Sequence, residues 1–179
     1  MTVTLEPGLV LRPFTLDDAP ALRVVIDRNR DHLRRWLPWL DWSRTIDEAR
    51  EFIGKNMRLN QDREAFAAGI WVDGELNGAI GLHPFDLRHR NSSIGYWLDR
   101  SHSGEGVMTK ACKSVVTLGF REFGLHRIEI RCAQGNAKSA AIPQRLGFTE
   151  EGLLREAEWL YDHWVDLRVF SMLEQDWEA

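Results

Sequence analysis

The sequence predicts a mixed α/β fold, a largely antiparallel central sheet flanked by helices, and three observations predict it. Two apolar runs, Ala65 to Val72 and Leu76 to Pro84, flank Asp73-Gly74, a dipeptide suited to the left-handed backbone of a tight hairpin turn. Val107 to Phe123 carries Met108, Ala111, Cys112, Val115, Val116, Gly119, Phe120 and Phe123 at helical spacing. Beyond it the pattern alternates, so a hairpin sheet is followed by strand–helix–strand–helix–strand.

Taken in order, Val10 to Phe14 reads as the first strand. Asp17-Asp18 then open a helix, where carboxylates suit the unpaired amides of a first turn, with Ala21, Leu22, Val25 and Ile26 as its apolar positions. Leu33 to Trp42 places Trp36, Trp39 and Trp42 at threefold spacing around Pro38. That cluster reads equally as a core plug or as a pocket wall among Arg34, Arg35, Asp41 and Arg44, its rings suited to a cationic amine. Thr45-Ile46-Asp47-Glu48 has capping-box spacing and predicts a helix to about Asn60. After the hairpin, Ser92 to Leu98 is a third sheet strand. Gly124 ends the long helix, Arg127 to Cys132 alternates as a strand, and Asn136 to Arg145 forms a short helix. Closing strands lie near Leu153 to Leu160 and Trp164 to Leu173. No repeat, low-complexity tract or linker interrupts residues 1–179, so a single domain is expected.

Composition narrows the function classes. Hydrophobic residues at 44% and charged residues at 28% exclude a disordered or fibrous chain. A net charge of -4 supplies no basic field, so neither nucleic acid nor a membrane surface is an expected partner. The longest apolar run, Phe66 to Val72, is far short of the roughly 20 residues that span a bilayer. Met1 to Pro7 has neither a basic nor an apolar leader segment, and a cytoplasmic location is expected. Cys112 and Cys132 stand alone on apolar stripes, as core thiols rather than nucleophiles, zinc ligands or a disulfide. His32, His83, His89, His102, His126 and His163 are scattered without metal-site spacing, so no metal is expected; His102 and His126, flanking the long helix, read as surface residues. No G-x-S-x-G elbow supports a serine hydrolase.

The chemistry concentrates in Ser103-Gly104-Glu105-Gly106-Val107-Met108-Thr109, between a strand and the long helix. Glycines let successive amides turn outward, and the helix start adds unpaired N–H groups and a positive dipole end. Such a cradle fits a diphosphate, and on its own it fits a plain strand-to-helix turn equally well. Thr109 breaks the dinucleotide G-x-G-x-x-G pattern, and no Walker lysine is present. One strand later comes Asn136-Ala137-Lys138-Ser139, leading into Arg145-Leu146-Gly147-Phe148.

With both motifs in order, the chain resembles the GNAT superfamily of N-acetyltransferases, specifically its RimJ/RimL-like branch of ribosomal-protein N-terminal acetyltransferases. The resemblance extends to Leu11-Arg12, to Trp36-Leu37-Pro38-Trp39 and to the closing hairpin Glu156 to Leu173. It departs at Ser103 and Met108, the ends of a loop that usually reads Gln/Arg-x-x-Gly-x-Gly/Ala, and Ser103 removes a long polar side chain from the diphosphate site.

The resemblance implies the GNAT acyl-CoA N-acyltransferase fold, acetyl-CoA as co-substrate without a metal, and direct attack of an amine on the thioester without an acyl-enzyme. It implies contacts to the coenzyme from Leu98, from Ser103, Gly104, Glu105, Gly106, Val107, Met108 and Thr109, and from Asn136 and Ser139. Ser139 matches a proposed general acid toward the leaving thiolate, although a serine there also serves as a first-turn cap; Asn136 suits a cap or a pantetheine contact. Glu158, in Glu156-Ala157-Glu158-Trp159, stands where this branch places a candidate base; otherwise it is a solvated strand charge. Trp36, Trp39 and Glu158 would face the acceptor. An oxyanion donor is expected from a backbone N–H of the Ser92 to Leu98 strand, where its pairing with the next strand splays. The expected acceptor is a protein or peptide N-terminal amine, a ribosomal protein among the candidates. The alternatives are a small-amine acetyltransferase, for a polyamine, antibiotic or amino acid, and a non-catalytic acyl-CoA-binding domain; a homo-oligomer is left open.

Overall fold

In the computed structural model, which describes residues 1–178, eight strands join into one sheet. They are β1 (Val3–Glu6), β2 (Leu9–Arg12), β3 (Phe66–Val72), β4 (Glu75–Leu82), β5 (Asn91–Leu98), β6 (Arg127–Ala133), β7 (Thr149–Leu160) and β8 (His163–Leu173). Their spatial order is β1-β2-β3-β4-β5-β6-β8-β7. Every neighbouring pair is antiparallel except β5–β6. Four α-helices complete the fold: α1 (Ala19–Leu33), α2 (Ile46–Gln61), α3 (Val107–Arg121) and α4 (Ala137–Arg145).

Local chemistry explains several boundaries. The Thr45 hydroxyl accepts from the Glu48 N–H at 3.1 Å while Glu48 accepts from the Thr45 N–H at 2.8 Å, so the predicted capping box starts α2. Asp73 and Gly74 have φ of 49° and 83°, the left-handed pair that a two-residue hairpin turn requires. Gly124, at φ 62°, lies just past the end of α3.

The chain enters the sheet earlier than the sequence predicts. Gly8, at φ 81°, turns β1 back onto β2, and the predicted strand at Val10 to Phe14 is displaced to Leu9–Arg12. Ala21 is exposed, and Ala19 with Leu22, Val25 and Ile26 forms the buried stripe of α1.

Two apolar clusters lie on opposite faces of the sheet. Under α3, Ala111, Val115 and Val116 pack with Ile80, Leu82, Ile128, Ile130 and Phe170. Truncating a fully buried phenylalanine such as Phe170 to alanine costs about 3–5 kcal/mol. Under α1 and α2, Leu22, Val25, Ile26 and Ile53 pack with Leu76 and Ala79. Arg28 of α1 reaches across to Asp99, just past β5, and donates to the Asn77 side chain at 3.0 Å, which ties the α1 layer to the end of the strand that precedes α3.

Candidate active site

The site begins with a break in the sheet. β5 and β6 share a parallel ladder only from Asn91↔Arg127 to Ile94↔Ile130. Beyond Ile94, β5 stays paired with β4 up to Leu98, while β6 stays paired with β8 up to Ala133. The strands therefore diverge, and the β6-facing backbone of residues 95–98 has no ladder partner.

The glycine loop closes one end of this gap. Gly104 has φ 93°, and Gly106, at φ 79°, is the N-cap of α3. A Cβ at either glycine would meet nothing within 4 Å, so the space in front of the loop is open. The next amides, Val107, Met108 and Thr109, belong to the first helical turn and lack intrahelical acceptors. Val107 and Met108 bury their side chains in the core and so anchor the loop, while Gly104 to Gly106 are exposed. Glu105 turns aside to the ring of His102, its Oε2 lying 2.9 Å from Nδ1. Arg145, to which the sequence reading attached no role, brings its guanidinium within 3.3 Å of the Thr109 hydroxyl. It supplies a cation near the loop whose first residue, Ser103, has no long polar side chain.

At the gap's edge stands a pair of hydroxyls. Asn136 caps α4 by accepting the Ser139 N–H at 3.2 Å, so the capping role belongs to Asn136. That frees the Ser139 hydroxyl, which donates to the Tyr96 hydroxyl at 3.2 Å, while Tyr96 donates to the Ser139 carbonyl at 3.0 Å. Burial holds the Tyr96 pKa well above the usual phenol value, so Tyr96 remains a proton carrier rather than a phenolate. Sequence reasoning missed Tyr96 because its partner lies 43 residues away. Burial likewise raises the pKa of Cys132 above the usual thiol value. Cys112 is fully buried, with a pKa pushed up to about 12, and both thiols are protonated at neutral pH.

The tryptophan segment divides. Trp36 lies against Gly135, next to the α4 cap, and Trp39 packs with Trp97 of β5 at a ring separation of 6.3 Å. Trp42 is 74% exposed and joins neither contact, so the three rings do not form one cluster. The turn between β7 and β8 clasps this segment. The Tyr161 hydroxyl accepts the Leu40 N–H at 3.2 Å and donates to the Leu37 carbonyl, while Arg34 lies over its ring at 3.7 Å.

Glu158 sits on the same hairpin, opposite Val165 and beyond Leu167, the β8 residue that pairs with the end of β6 at Ala133. It is half-buried in a strand whose residues 149–157 are exposed, and it makes no ion pair among the described residues. Burial raises its pKa above the ordinary carboxylate value. A bulge between Leu154 and Glu158 sets this position, held where the Glu156 N–H donates to Asp166 at 2.8 Å.

An open amide cradle at a helix start, a divergent parallel strand pair and a protonated hydroxyl pair beside it make an arrangement suited to acyl transfer. Comparison with known proteins agrees: the acetyltransferase (GNAT) domain matches residues 8–149, and the chain belongs to this family. Among its relatives, the Bacillus subtilis protein YdaF, whose name assigns it provisionally to ribosomal N-acetylation, is 35% identical over 99% of this chain and 98% of its own. The ribosomal-protein-serine acetyltransferase of Escherichia coli is 27% identical over 96% of each chain. A solved structure of RimL, a ribosomal L7/L12 alpha-N-protein acetyltransferase, overlays with a TM-score of 0.93 at 26% identity, covering 97% of this chain and 98% of that one. RimL carries coenzyme A there, joined to one of its cysteines by a disulfide.

Proposed function

We propose that residues 1–179 act as one catalytic domain that transfers acetyl from acetyl-CoA to the N-terminal α-amine of a protein, a ribosomal protein first among candidates, in the cytoplasm. The observation that carries this reading is the open loop at Gly104 and Gly106 beside the β5–β6 gap, with Ser139 at its edge. The loop amides and Arg145 hold the diphosphate; Leu98 and Asn136 flank the pantetheine arm. A β5 backbone N–H past Ile94 stabilises the carbonyl oxygen as it gains charge. The amine nitrogen bonds to the carbonyl carbon, the carbon–sulfur bond breaks, and Ser139, backed by Tyr96, gives a proton to the sulfur. Glu158 takes a proton from the nitrogen.

An α-amine is the acceptor that suits this site. At pH 7 an α-amine is roughly a tenth neutral, whereas a lysine side chain is neutral in about one molecule in 2,500. The acceptor lies between Trp36, Trp39 and Glu158, opposite the coenzyme. Thiol release measured with acetyl-CoA and a panel of amines tests this. Peptides with free N-terminal Ser or Ala are expected to outpace Nα-blocked lysine peptides. Faster turnover of blocked lysine peptides or polyamines would replace the protein acceptor with a small amine, and no thiol release from any amine would leave only a binding domain.

A further inference from the structure

The ammonium form of the acceptor must lose two protons before an amide results, and Glu158 accounts for one of them. His83 stands where the other can go. It follows β4 directly and continues its ladder, its N–H donating to the Ser93 carbonyl at 2.9 Å and its carbonyl accepting the Ser92 hydroxyl at 2.7 Å. Pinned in this way, the ring lies over Gly95 of β5: a Cβ there would come within 2.5 Å of Nε2. Gly95 is the first β5 residue past the last β5–β6 pair, Ile94↔Ile130, so the imidazole rests at the apex of the gap.

The side of the sheet matters as much as the level. Ile94 packs in the core under α3, so Gly95 and Trp97 alternate onto the opposite face, where Trp39 meets Trp97. His83 is therefore across the sheet from α3 and on the tryptophan side. The residue is exposed, so its ring is open to an incoming amine. Its nitrogens are unpartnered among the described residues, and packing alone lowers its pKa below the usual imidazole value. The charged groups nearest in the ladders are Glu64 ahead of β3, Asp86 beyond β4, and Glu129 and Arg131 on the matching face of β6. The last two are paired at 2.8 Å, and none of the four shifts the imidazole. A neutral imidazole also lies about two pKa units closer to an α-ammonium than an ordinary carboxylate does.

Resting on the acetyl-transfer reading above, we propose that His83 is a catalytic base, its imidazole accepting the first proton of the acceptor ammonium at the apex of the β5–β6 gap. Of the ammonium's three protons, one passes to His83 and on to water. One leaves the nitrogen after attack, balanced by the proton gained at the coenzyme sulfur. The third stays in the amide.

The test compares wild type with His83→Gln, using acetyl-CoA and a peptide with a free N-terminal serine, from pH 6 to 9.5. The expected result is a kcat lowered roughly 10²-fold at pH 7, with the loss shrinking above pH 8 as the amine deprotonates unaided. The KM for acetyl-CoA should not change. If His83→Gln fails to fold, as judged by circular dichroism, His83→Ala is assayed with added imidazole, which should restore part of the rate. An unchanged rate, an equal loss at every pH, or an alanine variant that imidazole cannot rescue overturns the proposal. Wild type that releases no thiol with any amine overturns the reading beneath it as well, a result distinct from failure of the variants.

Discussion

Replacing Gly106 with valine separates what the glycine loop does for folding from what it does for the coenzyme. Gly106 has φ 79° and ψ -1° at the N-cap of α3, a left-handed conformation that costs an L-residue roughly 1–2 kcal/mol. The added Cβ meets nothing within 4 Å, so no steric cost follows in the unliganded protein. The variant should therefore fold, with a melting temperature lowered by about 2–8 °C. On the proposed function, the branched side chain projects into the space that phosphate oxygens need to reach the amides of Val107, Met108 and Thr109. Losing two charge-assisted hydrogen bonds, at roughly 1.5–3 kcal/mol each, weakens binding on the order of 10²–10⁴-fold. Gly104→Val should behave alike. Glu105→Ala should change Kd by no more than about threefold, because that carboxylate is exposed and turned toward His102. Titration calorimetry with acetyl-CoA on thermally characterised variants reads all three. Unchanged affinity in both valine variants would refute the cradle.

Three further outcomes are expected. Ser139→Ala should lower kcat roughly 10²-fold with little change in acetyl-CoA affinity, and Tyr96→Phe should show a smaller loss of the same kind; steady-state kinetics with matched calorimetry checks both. Glu158 must be ionised to accept a proton, and burial raises its pKa, so the acidic limb of kcat/KM should lie above the ordinary carboxylate range and move in Glu158→Gln. Asp99 concerns stability: burial opposes its charge, but hydrogen bonds from Ser101 and Arg28 outweigh that and hold its pKa at about 2. A folded pKa below the unfolded one stabilises above about pH 4 and loses the effect as pH falls toward 2. Asp99→Asn should thus cost roughly 2 kcal/mol at pH 7 in urea unfolding, the deficit fading in acid.

What could be read from the chain and what could not follows from the range of each interaction. The α2 capping box, the Asp73-Gly74 turn and the stripe of α3 depend on residues within a turn or two of one another, and all three appear where their spacing places them, except that α3 ends at Arg121 and leaves Phe123 beyond it. β1 is not legible in the sequence because it is a four-residue edge strand whose Val3 and Leu5 are only partly buried, leaving a weak alternation. Spacing groups Trp42 with Trp36 and Trp39, but the short helical turn at Leu40–Trp42 leaves its ring exposed. The loop glycines, Asn136, Ser139 and Glu158 could be proposed from motif order. Tyr96, Arg145 and His83 could not, because each acquires its meaning from a partner on another element: Ser139, Thr109 and Gly95.

The gap between β5 and β6 is made by main chain, since two strands held by different neighbours simply part after four paired residues. A cleft of this origin is hard to lose by substitution, for no side chain has to be present to keep it open. Exposed side chains around it can then be exchanged one at a time while the opening endures. On the proposed function, acceptor choice is thereby separated from the backbone that forms the cleft. New specificities can arise on this architecture by altering the residues of one face, provided that Gly95, Gly104 and Gly106 stay bare.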